Sequence, residues 1–192
     1  MNMDNQTKDE IAEKTIDRIN FWLGNVDSKV SFVLSFAGIF LGFIFASDSI
    51  TKSIEGYIKF IISNDLTLGK FIFSCIALLL FIASMVFMGI SIYNLLGALK
   101  GRINPDTYSQ ANLETKSILF WGSIANSTNY TAYKQKIDLL TDVNLSNDLK
   151  SQAYINSLIC TKKFELYNKA INKLTWGIIL FVLFKLLTYI PF

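Results

Sequence analysis

The chain has 192 residues, of which 52% are hydrophobic and 17% charged, and its formal net charge is +3. Soluble domains contain about a quarter of charged residues, so the apolar excess indicates surface that faces lipid. The small net charge gives no reason to expect a nucleic-acid partner. Histidine is absent, which excludes Ser-His and Cys-His nucleophilic sites and His-ligated zinc. Other kinds of enzyme stay open on this ground, although we expect neither an enzyme nor a metal site.

The first segment, residues 1–29, is predicted to be a cytoplasmic amphipathic helix. Its apolar residues recur in alternating steps of four and three, and the stripe continues into the next segment: Ala12, Ile16, Ile19, Leu23, Val26, Val30, Val33, Ala37, Phe40 and Ile44. This spacing predicts one continuous helix with one packing face. The face packs either on the chain's own cytoplasmic module or on a second copy. Trp22, Asp27 and Lys29 lie just before the membrane, where an aromatic ring suits the headgroup zone.

Three apolar segments are candidates for crossing a bilayer: residues 30–46, 71–96 and 174–190. The second begins with a long run, Phe71 to Tyr93, that has no charged side chain. About 20 apolar residues at ~1.5 Å rise each cross the roughly 30 Å hydrocarbon layer, so this run alone predicts an integral membrane protein. Residues 47–70, between the first two spans, are predicted to form an external loop.

Lysine and arginine are distributed unevenly around these spans. Four lie in residues 1–29 and ten in residues 97–173, but only three in residues 47–70. Since cytoplasmic segments are enriched in these residues, the N-terminus and residues 97–173 are predicted to be cytoplasmic. Pro191 and Phe192 then lie outside.

The cytoplasmic module, residues 97–173, is predicted to be helical. Gly97, Gly101 and Pro105 indicate a linker at its start, because glycine and proline disfavour a continuing helix. Two short helices are predicted, at residues 114–125 and 130–140. Asn144 or Ser146 is a candidate N-cap for a last helix that reaches Ile190 without a break and measures about 67 Å. The predicted fold class is therefore an all-α membrane protein: three transmembrane helices with a small helical cytoplasmic module between the second and third.

Three blocks of sequence carry a resemblance to a known family. FWLGNVDSKVSFVLSFAGIFLG begins at Phe21, SILFWGSIANSTNYTAYKQKI at Ser117, and LSNDLKSQAYINSLICTKKFELYNKA at Leu145. The second has an aromatic-Gly-x-Ile-Ala stretch followed by a tyrosine, and the third has Leu-x-x-Asp-Leu followed by Asn-Ser and Lys-Phe. In these features the chain resembles the transmembrane effector family of Pycsar, a bacterial anti-phage system.

The resemblance implies a specific function. Members of that family bind cyclic CMP or cyclic UMP made by a partner cyclase during phage infection, and then impair the bacterial inner membrane, an abortive response that stops growth of the infected cell. The expected partners are the lipid bilayer, the cyclic nucleotide and further copies of the chain in a homo-oligomer, with no bound cofactor. The alternative function is a ligand-independent membrane scaffold or accessory subunit of a transporter or channel.

A cyclic nucleotide requires groups for its phosphate, its base edge and its ring face. The candidate residues in the module are Trp121, Ser123, Asn126, Tyr130, Gln152, Asn156, Lys162 and Lys163. Gln152 and Asn156 are four residues apart and so share one helical face. Each has an alternative role: Trp121 in the core, Asn156 as a buried amide bonded to another helix, and Lys162 and Lys163 in water or against anionic lipid headgroups.

Lys185 is the one ionisable residue within the third span. It lies near the end of that span, so its ammonium group can extend to the outer headgroups. The alternative is that Lys185 lines a polar path in an activated assembly.

Overall fold

The computed structural model of the protein describes residues 4–62 and 67–189. The described residues form helices and no strands, which confirms the all-α fold class. The helices are α1 (Asn5–Ala46), α2 (Asp48–Ile62), α3 (Leu68–Lys100), α4 (Trp121–Ala125), α5 (Tyr130–Asp138) and α6 (Asp142–Leu187), with a 3₁₀ helix at Pro105–Ser109. Three of them, α1, α3 and α6, are long and apolar enough to span a membrane.

Helix α1 is continuous from the polar N-terminal segment into the first apolar span, as the stripe predicts. Asp4 caps its N-terminus by accepting a hydrogen bond from the Thr7 amide at 2.6 Å, and this bond lowers the pKa of the Asp4 carboxyl group. Six residues of the stripe are buried: Ala12, Val26, Val30, Val33, Ala37 and Ile44. The stripe is therefore covered by the chain itself.

The segment 47–70, predicted to be an external loop between the first two spans, contains helix α2, which the sequence analysis does not predict. Only Ser47 separates α2 from α1, and its carbonyl oxygen accepts hydrogen bonds from the amides of Ile50 and Thr51. Ile50 and Tyr57 are buried, while Lys52 and Lys59 are exposed, so α2 is amphipathic. The helical spacing of its apolar residues is a local signal for this helix, whereas the loop prediction rests on the position of the segment between two apolar spans. Residues 63–66 of the predicted loop lie outside the described residues.

The chain divides into two compact units. Unit 1 contains residues 4–27 and 101–164, and unit 2 contains residues 28–62, 67–100 and 165–189. Helices α1 and α6 each contribute residues to both units.

In unit 2, α3 and α6 pack closely through small residues. The hydroxyl groups of Ser84 and Ser91 each donate a 2.8 Å hydrogen bond to a backbone carbonyl of α6, at Gly177 and Ala170 respectively. Ser91 follows Ser84 by seven residues in α3, whereas its partner Ala170 precedes Gly177 by seven residues in α6. The two helices are therefore antiparallel. A Cβ atom at Gly177 would lie 2.9 Å from Met88 Cγ and 3.3 Å from two α3 backbone atoms. Small residues allow this backbone approach, as in other membrane helix pairs.

An aromatic cluster fills the rest of the unit 2 core. Phe184 is fully buried, and its ring centroid lies 5.1 Å from that of Phe81 and 6.4 Å from that of Tyr57. Phe181 contacts Phe40 of α1 at 5.5 Å in an edge-to-face arrangement. These contacts join α1, α2, α3 and α6 within unit 2.

Two predictions about chain breaks and caps need correction. Gly97 lies inside α3, and the break comes at Gly101, whose positive φ of 56° favours glycine. Helix α6 begins at Asp142, so neither Asn144 nor Ser146 is its N-cap; the Thr141 hydroxyl accepts a 3.3 Å bond from the Asn144 amide instead. The prediction of one long last helix is confirmed as far as Leu187, and Ile190, Pro191 and Phe192 lie outside the described residues.

The helix predicted at 114–125 is wrong for its first seven residues, and only Trp121–Ala125 is helical. Two backbone amides of the non-helical part bind side chains of α6: Glu114 donates to Ser151 Oγ and Ile118 to Asp148 Oδ2, both at 2.9 Å. These distant partners replace the local helical bonds. The prediction at 130–140 is confirmed for Tyr130–Asp138.

Candidate functional site

Asp148 of α6 holds the segment before α4 in place. Its side chain is buried, and Oδ2 accepts hydrogen bonds from the Ser117 hydroxyl group and the Ile118 amide, both at 2.9 Å. Ser117 Oγ in turn accepts the amides of Leu119 and Phe120 at 3.0 Å. Asp148 is the acidic residue of the Leu-x-x-Asp-Leu pattern in the sequence. This network fixes where the following aromatic residues lie relative to α6.

Unit 1 contains a groove of about 590 Å³ between α1, α6 and the segment at 119–121. It is lined by Glu13, Ile16, Asp17, Asn20, Leu23, Leu119, Phe120, Trp121, Leu149, Gln152 and Asn156. Small-molecule sites have volumes of about 300–1,000 Å³ and combine an apolar lining with a few polar groups. By size and lining, this groove is the candidate functional site.

The groove combines aromatic rings with side-chain amides. The Trp121 side chain is 76% exposed, so it is not a core residue, and its ring centroid lies 5.4 Å from that of Phe120. Gln152 and Asn156 are half-buried on one face of α6. Asn156 Nδ2 donates a long, weak hydrogen bond of 3.5 Å to Asn20 Oδ1 of α1. Asn156 therefore also bonds to another helix, the alternative role considered in the sequence analysis.

A smaller cavity of about 280 Å³ shares Phe120, Gln152 and Asn156 with the groove. Ser123, another predicted site residue, lines this smaller cavity. The two amides therefore face both spaces, and Phe120 lies at the boundary between them.

Four predicted site residues do not line either cavity: Asn126, Tyr130, Lys162 and Lys163. Asn126 and Tyr130 are exposed. Lys163 is buried, and its ammonium group forms a 2.5 Å ion pair with the carboxylate of Asp27. A Cβ atom at Gly101 would lie 2.7 Å from Lys163 Cε, so the glycine makes room for this side chain.

The residues predicted to lie just before the membrane contact α6 in part. Asp27 holds Lys163, and the Trp22 ring lies 6.3 Å from the ring of Phe164 in an edge-to-face arrangement. Lys29 is exposed. Asp27 and Trp22 therefore anchor α1 to α6 within unit 1.

The ammonium group of Lys185 contacts two side chains of the protein. It donates a 3.1 Å hydrogen bond to Ser49 Oγ at the start of α2, and it lies 5.4 Å from the centroid of the Tyr189 ring. Across residues 4–62 and 67–189, no group of three or more acidic or cysteine side chains is arranged to hold a metal ion.

Among the polar and aromatic residues of the groove, four were not predicted as site residues from the sequence: Glu13, Asp17, Asn20 and Phe120. The first three form a row on α1 at spacings of four and three, beside the buried stripe. That spacing is a usable signal, although the apolar stripe beside it indicates only a packing helix. Phe120 precedes Trp121 and has no separate signal.

Comparison with known proteins identifies the family. The Pycsar effector protein domain matches residues 11–189. The Pycsar effector protein GmPycTM from Gulbenkiania mobilis is 38% identical over 176 residues, which cover 91% of this chain and 89% of the relative. No solved structure matches the chain. Together with three membrane-capable helices, these matches support a multi-pass membrane protein. The chain therefore belongs to the Pycsar effector family, which comprises membrane effectors of anti-phage defence and not a known class of enzyme.

Proposed function

We propose that this protein is activated by a cyclic pyrimidine nucleotide, cyclic CMP or cyclic UMP, and then impairs the inner membrane of the infected bacterium. The observation that carries this proposal is the groove in unit 1. Its volume suits one mononucleotide, the exposed Trp121 ring offers a face for the base, and Gln152 and Asn156 offer amides for the base edge. A scaffold that binds no ligand has no need of such a groove.

The groove is formed by the two helices that also contain apolar spans. Residues of α1 and α6 line it, and each of these helices is continuous with a membrane-capable segment. A ligand changes a conformational equilibrium only if it binds one state more tightly than another. We therefore propose that the bound nucleotide favours one arrangement of α1 and α6 residues around the groove, and that the helices transmit this preference to the membrane part of a homo-oligomer.

The proposal requires the groove to be in the cytoplasm, where a partner cyclase makes its product. The excess of lysine and arginine in residues 1–29 and 97–173 supports this orientation. A cysteine-free protein with Lys134→Cys on the exposed face of α5 tests it. We expect an impermeant maleimide to label intact spheroplasts only after lysis, and labelling before lysis would contradict the proposal.

Binding and membrane damage can be measured with the purified full-length protein. Isothermal titration calorimetry with cyclic CMP, cyclic UMP, cyclic AMP and cyclic GMP should show binding of at least one pyrimidine nucleotide. The same nucleotide should release dye from liposomes that contain the protein, and light scattering should report any change in oligomeric state. Absence of heat with both pyrimidine nucleotides would contradict the proposed function, and tighter binding of a purine nucleotide would assign the protein to a different signal.

A further inference from the structure

The wall of the groove formed by α1 is acidic. Glu13 and Asp17 lie four residues apart on one face of this helix, and both line the groove. Within the described part of the chain, neither carboxylate forms a salt bridge or side-chain hydrogen bond. The ion pairs of neighbouring α1 residues, Glu10 with Lys14 and Asp9 with Lys150, leave these two carboxylates available to a ligand.

The wall formed by α6 offers hydrogen-bond donors as well as acceptors. Gln152 and Asn156 each carry an amide that both donates and accepts, whereas a carboxylate accepts and does not donate. On the α1 side, a base between the two walls thus meets the carboxylates of Glu13 and Asp17, which only accept, with the Asn20 amide beside them. On the α6 side it meets amides that also donate. Such a site discriminates between bases by the order of donors and acceptors along their edges.

Cytosine and uracil differ in this order. Cytosine presents an amino group at C4, followed by acceptors at N3 and O2; uracil presents an acceptor at O4, a donor at N3 and an acceptor at O2. From this difference we infer that the groove selects cyclic CMP over cyclic UMP, with Glu13 or Asp17 accepting from the C4 amino group. The amides of Gln152 and Asn156 then donate to N3 and O2. This inference rests on the proposed function.

The charge of the groove also orients the nucleotide. Among the described residues that line it, two are carboxylates and none is basic. The cyclic phosphate carries a negative charge that these carboxylates repel, so it faces the open mouth of the groove while the base points inward. For uracil in the same orientation, O4 would face a carboxylate, an acceptor opposite an acceptor, and the hydrogen bond would be lost.

Calorimetry of the full-length protein with the two pyrimidine nucleotides tests the inference. We expect the wild type to bind cyclic CMP at least about tenfold more tightly than cyclic UMP, the effect of losing one hydrogen bond to a charged group. In the double variant Glu13→Gln with Asp17→Asn, each side chain gains a donor. We expect this variant to bind cyclic CMP about tenfold to a hundredfold more weakly and to lose most of the preference. Glu10→Gln, on the same helix but outside the groove, is the matched control and should leave both affinities unchanged.

The outcomes separate the inference from the proposed function. Equal binding of the two nucleotides, or tighter binding of cyclic UMP, would overturn the base preference and leave the proposed function intact. A preference for cyclic CMP that survives in the double variant would overturn the assignment to these carboxylates. If the wild type binds neither nucleotide, both the proposed function and the inference fail. Circular dichroism of each variant, compared with wild type, shows whether a lost affinity comes with lost helix.

Discussion

Units 1 and 2 are both helical, but different interactions hold them together. In unit 1, side chains bond to distant backbone and to each other: Asp148 to the segment before α4, and Asp27 to Lys163. In unit 2, the α3 and α6 backbones approach closely at Gly177, and serine hydroxyl groups bond to carbonyl oxygens. The stability of unit 1 therefore depends on individual polar contacts, and that of unit 2 on the close packing of two helices.

This difference suits the environments that we propose, water for unit 1 and lipid for unit 2. Lipid offers no hydrophobic drive between apolar helices, so close packing and internal hydrogen bonds must stabilise their association. In water, polar side chains can exchange partners at low net cost, since each such bond contributes only ~0.5–1.5 kcal/mol. We expect added volume in unit 2 to disrupt folding, and the loss of a polar contact in unit 1 to lower stability and to disturb the groove as well.

The largest expected effect comes from adding volume between α3 and α6. Gly177→Ala places a methyl group 2.9 Å from Met88 Cγ, and Gly177→Leu adds more volume at the same point. We expect Gly177→Ala to cost about 1–3 kcal/mol of stability, and Gly177→Leu to prevent stable folding. Thermal unfolding in detergent, followed by circular dichroism, measures this.

Gly89→Ala on α3 is the matched control, because the residue is exposed and nothing lies within 4 Å of the point that its new methyl group would occupy. Alanine is favoured over glycine inside a helix by roughly 0.5–1 kcal/mol, so this variant should be as stable as wild type or slightly more so. A Gly177→Ala protein that unfolds at the wild-type temperature would show that close packing at Gly177 does not determine the stability of unit 2.

The second-largest expected effect is the loss of the Asp148 hydrogen bonds in unit 1. Asp148→Ala leaves the Ser117 hydroxyl group and the Ile118 amide without their acceptor, at a cost of about 2–3 kcal/mol. It should also weaken nucleotide binding, because Phe120 and Trp121 follow directly. Asp148→Asn retains one carbonyl oxygen for the same donors, so its effect on unfolding temperature and affinity should be smaller. Equal losses in the two variants would contradict the role given to the hydrogen bonds.

How much of this fold the sequence predicts depends on the distance between interacting residues. The continuous α1 follows from spacing within single turns, and the length of α6 follows from the lack of a helix breaker early in the segment. Residues 114–120 have a helix-like pattern, yet they are not helical, because Ser151 and Asp148 bind two of their amides from positions far along the chain. Gly177 gives no local sign of its role, since it stays helical and acts by allowing α3 to approach.

The candidate site shows the same limit. Gln152 and Asn156 were predicted together because they share a face of one helix, and they do line the groove. Lys163 was predicted to be a ligand-binding cation, but it pairs with Asp27, 136 positions away in sequence. The spacing of Glu13 and Asp17 indicates a shared helix face, but they were missed because it does not indicate that this face lies across from α6. Residue types at a site can be predicted from local patterns, whereas partners between helices cannot.

The third prediction separates ligand stacking from general loss of an exposed aromatic ring. Trp121 and Tyr130 are both 76% exposed, but only Trp121 lines the groove. Stacking of a base on an aromatic side chain contributes ~1–3 kcal/mol, so Trp121→Ala should weaken cyclic CMP binding by about tenfold or more. Tyr130→Ala should leave the affinity unchanged. If calorimetry finds equal losses in both variants, the groove is not where the base stacks.

The smallest expected effect is at Lys185, the charge within the third predicted span. Its ammonium group already has a partner in Ser49 of α2, so we expect it to attach α2 to α6 and not to line a polar path. Lys185→Leu removes one hydrogen bond and places an apolar side chain in lipid, two changes that nearly cancel, so stability should change by less than about 1 kcal/mol. Ser49→Ala removes the same bond but keeps the charge. Both variants should release liposome dye at the wild-type rate when nucleotide is added. Leakage lost in Lys185→Leu but kept in Ser49→Ala would instead assign the ammonium group to the damage step itself, because only the charge then distinguishes the two variants.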